Sequence, residues 1–331
     1  MENKQYDFVA IGDIVTDAFI KIKDAAVHCN IDNENCELCV RFGDKVPYEE
    51  VYVVKAVGNS PNAAVSAARL GVSSALIATV GADQNGKDCL DQLEKEHVGI
   101  EYMKMNTEYP TNYHYVLWYD VERTILVKHA PFPYSLPINM PAPKWLYLSS
   151  MGENSIDYHH EIAAYVKAHP ETKLAFQPGT FQMKLGVEAL KDIYEETDVF
   201  FCNVEEAQRI LKSEEKDKVK LMQGLMALGP KLICMTDGFN GAYSYDGTDA
   251  YFIGVYPHTP FERTGAGDAF ASTFTTALLL GMTPDQALSW GPINSMSVVQ
   301  KIGAQEGLLT REKLEEFLKN APEDYKPKKI N

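Results

Sequence analysis

Seven consecutive residues, Thr264-Gly265-Ala266-Gly267-Asp268-Ala269-Phe270, carry the strongest chemical signal in the chain. Their small side chains allow a tight turn, and the apolar residues that run on to Leu280 start a helix at once. Backbone N–H groups then converge at a helix N-terminus, where the helix dipole also favours negative charge. A carboxylate in that position can take a proton from a hydroxyl while the amides hold the phosphoryl group under attack. Taken alone, the same residues also fit a plain glycine-rich turn with Asp268 in a first helical turn. Asn203 and Glu206 have the spacing of a helix cap, with Asn first and Glu at the third helical position. His28-Cys29, Cys36 and Cys39 bring four soft metal ligands into one short loop, and Cys36-x-x-Cys39 has the local spacing of a zinc site. Adjacent His28 and Cys29 are poor geometry for one ion, and strand alternation separates Cys36 from Cys39. These cysteines are therefore read as reduced packing residues without metal.

The elements that must position such groups alternate along the chain. Phe8 to Gly12 reads as a buried strand, and Ser60-Pro61 opens a helix over Asn62 to Leu70, with Ser60 as N-cap and Gly71 as the stop. Ala75 to Val80 is expected as a strand and Gly86 to Glu96 as an amphipathic helix. Further strands are expected at Lys144 to Ser149, Leu174 to Gln177, Asp198 to Cys202 and Lys231 to Thr236, with Cys89, Cys202 and Cys234 in core positions. After a meander near Gly241 to Val255, helices follow at about 267–280, 284–301 and 311–319. Repeated βαβ units predict a mostly parallel sheet sandwiched by helices, in a single domain over 1–331. Two segments break the rhythm, about 33–57 and about 108–129, and together they predict a small antiparallel β lid. Tyr113, Tyr115 and Trp118 are its candidate substrate-facing aromatics. The tail from Ala321 to Asn331 is expected to fray.

Composition narrows the classes of function. Apolar residues make up 45% and charged residues 23%, which is the globular range and excludes disorder as the main state. The net charge of −15 argues against nucleic acid and anionic membranes as partners, so an anionic ligand needs a local device such as helix-end amides or a metal ion. The longest apolar stretch falls far short of a membrane span, and Met1 to Gln5 run straight into strand-like residues, so a cytoplasmic protein is expected. A dinucleotide oxidoreductase would need G-x-G-x-x-G after the first strand, where the chain reads Gly12-Asp13-Ile14-Val15-Thr16-Asp17.

In this order the motifs resemble the ribokinase (PfkB) family of carbohydrate and nucleoside kinases, over nearly the whole chain. The stretch Thr264 to Asp268 resembles the second family signature, which implies Asp268 as catalytic base, Gly265, Ala266 and Gly267 as anion hole, and Thr264 and Gly267 near the nucleotide. Gly58-Asn59-Ser60-Pro61-Asn62-Ala63-Ala64 resembles the first signature, with Val57 in place of its first glycine, and implies substrate contacts from Gly58, Asn59 and Asn62. The resemblance gives Asp17 a role in binding substrate hydroxyls, and gives Asn203 and Glu206 a role around Mg²⁺, Asn203 also near the nucleotide. Thr236-Asp237-Gly238 and Gly241-Ala242 look like the nucleotide-binding turn, with Asn294 and Gly303-Ala304 on the adenine side. Glu153 is a looser match, to a residue touching sugar hydroxyls. The implied activity is ATP- and Mg²⁺-dependent phosphorylation of a primary hydroxyl of a small sugar, with a nucleoside acceptor as the alternative. In the family a monovalent cation often orders the anion-hole loop. Glu262 stands where many members have Asp, so K⁺ dependence is open. The apolar residues of the lid strands, Val51, Val53, Val116 and Trp118 among them, predict a homodimer formed through the lid.

Overall fold

Alternation inside the short apolar runs feeds two separate cores, one on each face of a sheet. In the strand Phe8–Ile11, Phe8 and Ala10 pack into one core while Val9 and Ile11 pack into the other. Leu146 and Tyr147 of Trp145–Leu148 divide in the same way, as do Phe200 and Phe201 of Val199–Asn203. This is why the runs read as continuously apolar rather than alternating. The computed structural model describes residues 4–29, 36–120, 122–259, 261 and 263–331.

Among the described residues the main sheet has nine strands. Six are parallel neighbours, in the order Ser74–Ile77, Phe8–Ile11, Trp145–Leu148, Lys173–Phe176, Val199–Asn203 and Ile233–Thr236. Ala242–Tyr245, Ala250–Ile253 and Lys328–Lys329 then extend it antiparallel. The tail expected to fray therefore docks. Lys328 and Lys329 pair with Phe252 and Tyr251, and Tyr325 Oη donates to the Ser289 carbonyl at 2.7 Å. The expected strand over Ala75 to Val80 is two strands, Ser74–Ile77 and Thr79–Gly81, the second paired with Lys104–Asn106.

The first helix starts earlier than its sequence suggests. It runs over Asn59–Arg69 with Gly58, not Ser60, as N-cap. Gly58 has φ +122°, and a Cβ there would sit 2.7 Å from the Asp13 carbonyl oxygen, so only glycine makes this turn. Ser60 instead hydrogen-bonds the Ile11 carbonyl at 2.6 Å, tying the helix to the end of the first strand.

A second sheet of four strands stands apart, in the order Glu122–Leu126, Asn112–Tyr119, Val15–Ile22 and Tyr48–Val57. Both irregular segments contribute to it. One of its two interior strands, Val15–Ile22, is hidden in sequence behind the first βα turn, and it pairs parallel with Asn112–Tyr119 and antiparallel with Tyr48–Val57. The stretch 36–47 does not join this sheet. Glu37–Cys39 pairs with Ala26–His28 in a hairpin of its own, while residues 33–35 lie outside the described residues. That hairpin corrects the reading of the cysteines. Registering His28 opposite Glu37 brings the next pair outward, Cys29 and Cys36, face to face, and they form a disulfide.

The helix Ala266–Leu279 lies against Pro284–Val298, and this contact sets the position of the Asp268 turn. Gly291 allows it: a Cβ at this position would come within 2.6 Å of the Phe270 ring. Helix propensity favours Ala over Gly by about 1 kcal/mol, but overpacking a buried ring costs roughly 1–3 kcal/mol. Gly291→Ala is therefore expected to lower stability in a denaturant titration. An unchanged or raised midpoint would show that the helix pair has slack.

Candidate active site

Asp268 occupies the first turn of Ala266–Leu279, and its carboxylate is buried. Three side-chain amides donate to it. Asn59 Nδ2 reaches Oδ1 at 2.9 Å, Asn62 Nδ2 reaches Oδ2 at 2.8 Å, and Gln177 Nε2 reaches Oδ1 at 3.2 Å. Burial pushes the Asp268 pKa above the ordinary carboxylate value. The bonds from Asn62, Gln177 and Asn59 and the charge of Arg123 oppose that shift without cancelling it. A carboxylate made more basic in this way is suited to accept a proton.

The amides are themselves held. Asn62 Oδ1 accepts from Gln305 Nε2 at 3.0 Å, and the same Gln305 nitrogen donates to the Ala56 carbonyl at 2.7 Å. Gln177 Oε1 accepts from the buried Tyr147 hydroxyl, which leaves its Nε2 for Asp268. Gln177 belongs to no motif in the sequence. Its signal is positional: it directly follows the parallel strand Lys173–Phe176, at the edge where open α/β sheets bind ligands.

The turn before Asp268 combines a forced glycine with an open one. Gly265 has φ +78°, and a Cβ there would fall 2.4 Å from Ala304 Cβ, so Ala304 braces the turn from behind. Gly303, expected with Ala304 beside the nucleotide, instead packs against Val54 of the small sheet. Gly267 has ordinary φ, and a Cβ would meet only Gln177 Nε2 at 3.7 Å. Nothing in the fold demands glycine at 267, yet its backbone faces open space. Thr264 precedes them in the turn and is half-buried. Glu262 lies outside the described residues.

On the other side of Gly267 lies a cavity of about 250 Å³, lined by Thr236, Gly238, Phe239, Pro292, Ser295 and Met296 among others. The turn residues Thr236, Gly238, Gly241 and Ala242 thus meet Ala266 and Gly267 around one space. Asn294, expected at the nucleotide, is not part of it. It is fully buried, donates to Thr273 Oγ1 at 2.7 Å and accepts from Leu309 N at 2.9 Å. The neighbours Pro292, Ser295, Met296 and Val299 present the helix to the cavity instead.

Asn203 and Glu206 form a reciprocal cap. Asn203 Oδ1 accepts from Glu206 N at 2.8 Å, and Glu206 Oε2 accepts from Asn203 N at 2.9 Å. Asn203 is registered beside Thr236 at the strand ends, which puts this cap next to the cavity wall. Asp17 lies inside the strand Val15–Ile22, beside His114. Tyr113 and Tyr115 occupy the opposite face of the small sheet from Trp118, whose ring meets Tyr52 and Phe261. Glu153 is largely exposed, with Lys184 3.9 Å away.

Comparison with known proteins identifies the family of the chain. The description "pfkB family carbohydrate kinase" matches residues 20–311. An ATP-dependent 6-phosphofructokinase of Thermoanaerobacterium thermosaccharolyticum is 24% identical, over 92% of this chain and 91% of its own length. The ribokinase of Bacillus subtilis is 26% identical, over 79% of this chain and 87% of its own. In three dimensions, Arabidopsis thaliana ribokinase complexed with ribose and ATP superposes with a TM-score of 0.81 at 18% identity, covering 96% of this chain and 99% of the other. The family match over residues 20–311, most of the chain, makes this chain a member of the pfkB family of carbohydrate kinases.

Proposed function

We propose that this protein transfers the γ-phosphoryl group of ATP to a primary hydroxyl of a small sugar, with Asp268 as general base. The observation that carries the reading is one of adjacency. The amide-held carboxylate of Asp268 and the cavity beyond it share a wall at Gly267, whose backbone is open to both. ATP in the cavity, with its terminal phosphate at Gly267, presents phosphorus next to the place where a hydroxyl would meet Asp268. As the hydroxyl oxygen bonds to phosphorus, its proton passes to Asp268, and the bond to the β-phosphate oxygen breaks to release ADP. The N–H groups of Gly265, Ala266 and Gly267 stabilise the charge on the transferring group, which is most of what an enzyme supplies in this reaction.

Asn203 and Glu206 would hold Mg²⁺ through its waters. One carboxylate oxygen of Glu206 serves the cap, which leaves the other to face the phosphates. Bound there, the ion neutralises phosphate charge in a protein of net charge −15. Thr236 and Gly238 line the nucleotide side. Gly58 and Asn59 shape the acceptor side together with Asn62 and Asp17, and the small sheet acts as the lid over it.

A panel of sugars and nucleosides assayed for ADP release tests the reading. Transfer to a sugar is expected, and Asp268→Asn should lower turnover by roughly 10²–10⁴ with ATP affinity little changed. Glu206→Gln should raise the Mg²⁺ requirement in the same assay. Turnover of Asp268→Asn within a few-fold of wild type would remove Asp268 from the mechanism, and preferred transfer to a nucleoside would replace the sugar.

The outer face of the small sheet carries Val51, Val53, Tyr115 and Leu126, each close to half exposed, whereas Val116 and Trp118, expected to join them, are buried on the opposite face. Such a row on a projecting sheet fits the same row of a second copy, and we propose a homodimer through it. Light scattering at micromolar concentration should give twice the 37.0 kDa chain mass. A monomer mass in a fully active sample would contradict the dimer.

A further inference from the structure

The chain between the helices Pro284–Val298 and Arg311–Lys319 forms neither helix nor strand, yet two parts of the site lean on it. Gln305 Nε2 donates to Asn62 Oδ1 at 3.0 Å, which turns the Asn62 amide nitrogen toward Asp268, 2.8 Å away. Ala304 lies behind Gly265, so close that a Cβ on the glycine would fall 2.4 Å from the alanine Cβ. A segment with no ladder of backbone hydrogen bonds takes its shape from outside partners. Asn294 is one of them, accepting from Leu309 N at 2.9 Å.

Arg69 is another. It ends the helix Asn59–Arg69, about 10 Å along the axis from Asn62. Arg69 Nη1 donates to the carbonyls of Gln305 at 2.7 Å and Leu308 at 2.9 Å. Its Nε and Nη2 donate to Glu96 Oε2 at 2.8 Å and Oε1 at 2.9 Å. Glu96 closes the helix Gln84–Lys95 and accepts from Gln92 Nε2 at 3.3 Å as well. One planar guanidinium therefore fixes the ends of two helices and the loop together. Stability alone does not call for it, because well-packed apolar residues often hold such a place as firmly as a half-buried ion pair. What the fork adds is direction. The helix places Asn62 on Asp268 at one end and Arg69 under Gln305 at the other, and the Gln305 side chain runs back to Asn62. The circuit closes on the carboxylate.

We infer that Arg69, paired with Glu96, is a positioning residue for phosphotransfer: by fixing the segment 304–308 it holds the Asn62 amide on Asp268 and the Gly265 turn in one mutual arrangement. The inference rests on the reading of Asp268 as general base and adds to it a remote group on which the geometry of both the base and the proposed anion hole depends.

The test measures kcat and kcat/KM across pH for the wild type, Asp268→Asn and Arg69→Met, with a denaturant titration of each. Methionine keeps an apolar stem at 69 but has neither charge nor donors. An acidic limb present in the wild type and lost in Asp268→Asn assigns that limb to the base. In Arg69→Met the limb should lie at higher pH, because the Asn62 amide favours the charged form of Asp268 and is no longer held to it. On the pH plateau kcat should fall by about tenfold to a hundredfold as the Gly265 turn loses its brace. A merely structural role lowers the denaturation midpoint without moving the limb. An unmoved limb in folded Arg69→Met therefore overturns the inference and leaves phosphotransfer standing. A limb that persists in Asp268→Asn, or a wild type that transfers to no sugar or nucleoside, overturns the base reading itself. If Arg69→Met does not fold, Arg69→Lys takes its place: it keeps a cation beside Glu96, but an ammonium has three donors for four acceptors and no fixed plane. A limb at higher pH in Arg69→Lys then supports the inference, and an unmoved one overturns it.

Discussion

Burying a carboxylate among hydrogen-bond donors is the constraint around which this protein is arranged. Removing such a group from water costs on the order of several kcal/mol unless donors replace the lost hydration. Asn59, Asn62 and Gln177 are those donors for Asp268, and they reach it from two widely separated parts of the chain. Two of them are anchored by further buried groups, Gln305 behind Asn62 and Tyr147 behind Gln177. The forced turn at Gly58 sets where Asn59 and Asn62 begin their helix. Contact between Ala304 and Gly265, together with the packing of Phe270 on Gly291, sets where Asp268 begins its own. Much of the main domain therefore converges on one side chain.

The same arrangement answers the electrostatic problem posed by a net charge of −15. The field of the whole surface opposes an anionic nucleotide, so attraction has to be local. In the proposed reaction a helix N-terminus with an open glycine at 267 provides it on one side of the shared wall. On the opposite side of that wall Asp13 and Asp17 each stand against an imidazole.

Much of this architecture is legible in the sequence. Continuous apolar runs at regular spacing reflect a parallel sheet buried on both faces, and the small residues of 264–267 reflect a turn where backbone must approach something closely. What escapes a reading of the sequence is whatever depends on register or on distant contacts. Val15–Ile22 becomes a strand of the small sheet only through its pairing with Tyr48–Val57 and Asn112–Tyr119. The disulfide between Cys29 and Cys36 follows from hairpin register, not from local spacing. Asn294 looks available to a ligand because nothing nearby in sequence shows Thr273 and Leu309 closing around it. Gln177 and the Asp13–His129 pair carry no motif, and only the fold brings them to the site.

The pH dependence of kcat/KM tests most directly the claim that Asp268 works as an amide-tuned base, because this ratio reports the essential base of the free enzyme. Burial raises the pKa and the amide bonds lower it. The wild type should therefore lose activity on the acid side as pH falls through a value above the ordinary carboxylate range. Asn59→Ala removes one donor to the charged form, so its acidic limb should lie at higher pH. An acidic limb at the same pH in both proteins, or one that persists in Asp268→Asn, would contradict the account.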